Sequence, residues 1–160
     1  MPERAAQTIM AKVTNQFQER LALQSQFSDI ARIPVWIESL SSRYAIPANL
    51  EYVMNLCLEE AITNVIRHGY CGEANRSVVV QFAAPVEGHF IFTVEDEAPR
   101  YNPLDGPELP SLNPSEAIRV GGQGIRFLRE FSDSLEYVPT DFGNRLVISF
   151  ASTGPANRKD

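Results

Sequence analysis

The sequence has only two cysteines, Cys57 and Cys71, and fewer basic side chains than acidic ones, 14 against 20. A helix running between the two thiols would hold them roughly 20 Å apart at 1.5 Å per residue. A disulfide needs about 4.4–6.8 Å between Cα atoms. A disulfide framework is therefore excluded, and a reduced, cytoplasmic protein is expected, with Cys57 as a small core filler. The formal net charge of −6 and pI near 5.0 offer no positive patch for a phosphate backbone, which argues against a direct nucleic-acid partner. The opening residues MPERAAQTIMAKV lack the apolar stretch of a signal peptide. No run approaches the roughly 20 apolar residues that cross a bilayer, so no membrane partner is expected.

Two nucleotide motifs are also missing. No GxxxxGK[ST] occurs, and the glycines at 121, 122 and 124 are not followed by a third at the dinucleotide-fingerprint spacing. Asp141-Phe142-Gly143 spells a protein-kinase motif, but no HRD catalytic loop precedes it. It is expected to be a hairpin connection.

What is present fits one domain of ordinary size with a single core. Residues 1–10 are expected to be a flexible tail, 11–152 the domain, and 153–160 a second tail. Gln18–Gln24 can form a strand, and Ser28 or Asp29 is a suitable N-cap for a helix reaching Tyr44. Pro47 then punctuates the start of a second helix. There Leu50, Val53, Met54, Cys57, Leu58, Ala61, Ile62, Val65 and Ile66 recur at three- and four-residue intervals, the signature of one buried face. Gly69 ends it. Ser77–Ala84 and His89–Asp96 alternate as strands around the turn Pro85–Gly88. A third helix is expected from Gly122 to Phe131, followed by strands Leu135–Val138 and Arg145–Ala151. Too few βαβ units occur for a doubly wound sheet. The order predicts a two-layer α/β sandwich, with a mixed, mostly antiparallel sheet and helices on one face.

Three features carry chemistry. On the second helix Asn64 falls within the apolar arc and Glu60 at its rim, four residues apart on one face. Polar groups aimed at a core cost about 2–7 kcal/mol unless satisfied. Either they bond locally, or the face opens onto a cavity holding a polar ligand or a metal of the Mg²⁺ type. His68 shares that arc, where a histidine near a helix end serves as a cap or a packed side chain. On the strand His89–Asp96, alternation places Asp96 on the face of Phe90, Phe92 and Val94, so it either starts a turn or points into the layer between sheet and helices. Gly121-Gly122-Gln123-Gly124 opens a helix whose inward side holds Ile125, Leu128 and Phe131. Glycines admit close approach, and free N–H groups at a helix start attract anions. The proline-rich stretch between Pro99 and Gly121, with Arg100 and Arg119 as its cations, has the length of a lid over such a pocket.

Together these residues resemble the GHKL (Bergerat-fold) ATPases and, within them, the bacterial anti-sigma-factor serine/threonine kinases. LEEAITNVIRHGY (58–70) resembles the N-box, which implies Glu60 as catalytic base and Asn64 as Mg²⁺ ligand. VEDEAPRYNPL (94–104) resembles the first glycine box, which implies that Asp96 reads the adenine amino group. GGQGIRFLREFSDSLEY (121–137) resembles the second, whose backbone wraps phosphates. Arg119, Gly121, Gly122, Gln123, Gly124 and Ile125 are then nucleotide-binding. Ala98 replaces the glycine of the usual D-x-G, and tolerance is expected because Pro99 keeps the segment extended.

The resemblance implies ATP and Mg²⁺ as cofactors, a kinase that phosphorylates an anti-anti-sigma antagonist, sequestration of a sigma factor, transcriptional regulation, and a homodimer. Two alternatives remain open: a binding module that transfers nothing, and another GHKL ATPase. A histidine kinase would need an upstream helical segment carrying a phosphoacceptor histidine, and neither His68 nor His89 sits in one.

Overall fold

A computed structural model of the chain describes residues 16–105 and 124–153. Strand β1 (Glu19–Gln24) leads to a one-turn helix α1 (Phe27–Ile30), then α2 (Arg32–Tyr44) and α3 (Ala48–Asn64). Strands β2 (Ser77–Val86) and β3 (His89–Asp96) form a hairpin, and α4 (Gly124–Phe131), β4 (Ser134–Pro139) and β5 (Asn144–Ala151) complete the order. The expected elements are present. The first helix is broken at Ala31, however, and Asp29 is no N-cap. Its carboxylate instead accepts the Gln24 N–H at 2.7 Å, tying α1 to the end of β1. The hairpin turn is also tighter than the expected Pro85–Gly88: β2 runs to Val86, and Gly88 takes the positive φ of 76°.

The sheet order is β1-β2-β3-β5-β4, and every pairing is antiparallel. The chain is thus an α/β two-layer sandwich, with an antiparallel sheet where a mixed one was expected. The helices share one core with one face of the sheet. From α2 come Ile33, Ile37 and Leu40, and from α3 Leu50, Met54, Leu58 and Ile62. They meet Val80, Phe82, Phe92, Ile148 and Phe150 of the sheet. Trp36 sets its ring edge-on to Phe92, centroids 6.1 Å apart. Each fully buried Leu, Ile or Met contributes about 1.5–3 kcal/mol, so α3 is held by its apolar face. The opposite sheet face carries a smaller cluster of Ala83, Ile91 and Val147 beside Phe17 and Val138.

Two local features aim residues at the site. α2 ends with Ala45 in the left-handed region (φ 53°), and Pro47 caps α3 with extended backbone. After Asn64 the helix widens into a π turn over Val65–Gly69, closed by Tyr70 N–H to Val65 O at 2.8 Å. The extra residue in this turn shifts the phase of the helix. His68, expected as a cap or a packed group on the apolar arc, is therefore exposed.

Candidate functional site

Between α3, α4 and the sheet lies a cavity of about 470 Å³, counting its open mouth. Its walls are apolar where α3 (Ala61), the π turn (Val65), α4 (Ile125) and the sheet (Val94, Leu146) meet. The polar groups facing it are Asn64, Asp96, Tyr101, Tyr137 and Asn144.

Of the residues singled out from sequence, Asn64, Asp96 and Ile125 are brought to this cavity. Asn64 arrives on the last turn of α3, half-buried, and its side-chain amide bonds to no described residue. Glu60, one turn earlier and also half-buried, does not line the cavity. Its charge is felt at Cys57, whose thiol is pushed up to about 12, first by burial and then by Glu60. Ala98 is buried outside the cavity wall, its methyl 3.2 Å from where a Cβ on Gly69 would stand. The missing side chain of Gly69, and not only an extended Pro99, makes room for alanine in place of glycine. Gly124 begins α4. Arg119, Gly121, Gly122 and Gln123 lie outside the described residues, as does most of the stretch between Pro99 and Gly121. Arg100 reaches Thr140 O at 3.4 Å and belongs to a separate, open cleft.

Asp96 is held on one side only. Its Oδ1 accepts from Ala98 N at 2.9 Å and from Asn144 Nδ2 at 2.8 Å. Its Oδ2 accepts from no described residue. Burial raises its pKa above the ordinary 3.8, and the two N–H donors oppose that rise. Asn144, buried at the start of β5, is its register partner. Next to it, a Cβ on Gly143 would stand 2.0 Å from Asp96 O, so only glycine lets the β5 turn approach β3 this closely. Tyr70, leaving the π turn, donates to Ser77 O at 2.6 Å and accepts from Glu97 N at 2.7 Å, which pins the strand end beyond Asp96.

Gly143, Asn144, Tyr137 and Tyr70 were not anticipated from sequence. Gly143 was visible only as the end of a misleading three-residue motif. Asn144 stands opposite Asp96 because β5, rather than β4, pairs with β3, and local pattern does not decide that. Chemically, the cavity pairs a flat, mostly apolar slot with a free carboxylate oxygen that accepts an N–H donor. At its other end stands the Asn64 amide, without a hydrogen-bond partner among the described residues. No three His, Cys, Asp or Glu side chains cluster as a metal-holding group among the described residues. Magnesium commonly takes only one or two protein oxygens and fills its shell with phosphates and water. A lone unpartnered Asn64 oxygen fits that requirement.

Several known proteins are similar to this chain in sequence or fold. A serine/threonine-protein kinase, BtrW, from Bordetella bronchiseptica is 26% identical over 71% of this chain and 80% of its own length. An anti-sigma F factor from Clostridium perfringens is 29% identical over 57% of this chain and 65% of its own. Another, from Halalkalibacterium halodurans, is 26% identical over 78% of this chain and 83% of its own. The crystal structure of the RsbU and RsbW domains of a Mycobacterium tuberculosis protein superposes with a TM-score of 0.57 at 11% identity. It covers 84% of this chain and 32% of that one, and shares the fold. The histidine kinase-like ATPase domain family matches residues 23–150, most of the chain, and the chain belongs to that family.

Proposed function

We propose that the chain is an ATP-dependent protein kinase and anti-sigma factor. It binds Mg-ATP in the cavity between α3, α4 and the sheet, and phosphorylates a serine or threonine of an anti-anti-sigma antagonist. The observation that carries this proposal is the convergence of Asn64 from the helix layer and Asp96 from the sheet on one apolar slot. The kinase and anti-sigma names of the relatives support the choice among ATPase activities.

In this proposal the slot takes the adenine, and Asp96 Oδ2 accepts its exocyclic amino group. The turn at Gly121–Gly124, with Gln123 and Ile125, and Arg119 hold the phosphates, while Ala98 forms the floor behind Asp96. Asn64 ligates Mg²⁺, which when bound would neutralise phosphate charge. Glu60 accepts the proton of the attacking hydroxyl as the new P–O bond forms and the bond from the γ-phosphorus to the bridging oxygen breaks, leaving ADP. Most of the rate then comes from positioning and charge stabilisation. Cytoplasmic location, a homodimer, sequestration of a sigma factor and control of transcription belong to the same proposal. No described helix is long and apolar enough to cross a membrane.

One observation favours a second reading. Glu60 lies off the cavity wall, as it would in a module that holds nucleotide and partner without transferring phosphate. The two are separated by incubating the chain and its co-purified partners with γ-labelled ATP and Mg²⁺. A kinase labels a serine or threonine of the antagonist. Binding that depends on ATP but never labels the partner leaves the binding module.

A further inference from the structure

The side chain of Asn144 is involved in five contacts at the cavity, and every partner lies on a segment that bounds it. Oδ1 accepts from Tyr137 OH at 2.6 Å and from Tyr101 N at 2.9 Å. Nδ2 donates to Asp96 Oδ1 at 2.8 Å, with Pro99 O at 3.2 Å and Ala98 O at 3.3 Å as longer acceptors. An amide offers two donors and two lone pairs, so its capacity is used. The orientation of the amide is also determined. A backbone N–H can only donate, so the Tyr101 side must be the oxygen. The three acceptors on the opposite side require the nitrogen there.

Asp96 Oδ1 therefore receives both Asn144 and Ala98 N–H groups, leaving Oδ2 for a ligand. A carboxylate with one oxygen saturated cannot rotate without breaking two charge-assisted bonds. We propose that Asn144, fixed by Tyr137, is a positioning residue that sets base selectivity by holding the Asp96 carboxylate so that Oδ2 presents an acceptor to the slot. This rests on the nucleotide-binding proposal above. The partner recognised is a purine carrying an amino group at position 6. A purine with a carbonyl there sets oxygen against oxygen and is rejected. The specificity follows from the unpaired polar groups such a mismatch leaves buried.

The test compares Mg-ATP with Mg-inosine triphosphate, which differs in presenting a carbonyl at position 6, on the full chain by titration and competition. Asn144→Ala is expected to weaken ATP by roughly 10- to 150-fold, the loss carried by a hydrogen bond to a charged group. Inosine triphosphate should change within roughly twofold, the scatter of independent effects, so the preference for ATP collapses. Tyr137→Phe removes one hydroxyl and leaves the Asn144 amide oxygen held only by the Tyr101 N–H. It should lower the same ratio by roughly 2- to 10-fold, as for one neutral hydrogen bond.

A structural role for Asn144 would weaken both nucleotides equally, and unchanged selectivity in both variants overturns the inference. If Asn144→Ala does not fold, Tyr137→Phe decides alone. Absence of ATP binding by the parent chain rejects the nucleotide-binding proposal itself. Binding by the parent that Asp96→Asn weakens, with both variants at the parental ratio, rejects only the role of Asn144.

Discussion

The two walls of the cavity are built in opposite ways. On the sheet side, Asp96 sits at the end of a ladder, bonded to Ala98 and Asn144, and Asn144 is in turn bonded to Tyr137 and Tyr101, by bonds of 2.6–2.9 Å. On the helix side, Asn64 stands on a face otherwise made of Ala61, Ile62 and Val65 and bonds to no described residue. The sheet wall is pre-organised and spends its polar capacity on holding one carboxylate oxygen in place. The helix wall keeps its polar groups free for whatever arrives. Under the proposed function the sheet recognises the base and the helix takes part in chemistry.

The largest effect that would sharpen this division is on α3 one turn before Asn64, off the cavity wall. Glu60→Gln is nearly isosteric and cannot accept a proton. It should lower phosphotransfer by about 10²–10⁴-fold in a single-turnover assay while nucleotide affinity stays at the parental value. Equal rates would remove Glu60 as the base. Next comes the sheet wall. Gly143→Ala drives a methyl to 2.0 Å from Asp96 O, against backbone that cannot step aside. It should cost about 1–3 kcal/mol in denaturant unfolding and weaken nucleotide binding together with it. An unchanged midpoint would mean that the β5 turn is free to shift.

A third effect concerns the price of recognition. Because burial raises the Asp96 pKa in the folded chain, this group favours folding most when protonated. That contribution is complete below the ordinary value of 3.8 and is lost as pH rises through the folded value. At neutral pH Asp96 is therefore a net cost, and Asp96→Asn should melt higher than the parent there, the gap closing in acid. A variant that melts lower at pH 7 would show that its two hydrogen bonds outweigh the desolvation. The smallest effect is at Ala98. Its methyl packs toward Gly69 and not into the slot, so Ala98→Gly should destabilise by about 1 kcal/mol and leave ATP affinity unchanged. Tighter binding by that variant would place the methyl in the ligand's way.

Much of the helix wall was legible in the sequence, because the 3.6-residue period fixes which α3 side chains share a face. Asn64 and the buried series from Leu50 to Ile62 follow from it. The period also misled once: it carried His68 onto the same face, whereas the π turn after Asn64 rotates it outward. The sheet wall was only half legible. Alternation along β3 put Asp96 on the aromatic face, but its partners come from β5 and the stretch after β3. Their approach depends on strand order, which is a property of the whole sheet. The two-layer architecture was legible, while the register that joins Asp96 to Asn144 was not.

The central claim is that this cavity holds Mg-ATP with Asp96 reading the base. The most direct measurement is calorimetric titration of the full chain and of Asp96→Asn with Mg-ATP. The account predicts saturable one-site binding by the parent and a roughly 10- to 150-fold loss in the variant, as expected for removal of a hydrogen bond to a charged group. Equal affinities would take Asp96 out of the base site, and no binding by the parent would contradict the account as a whole.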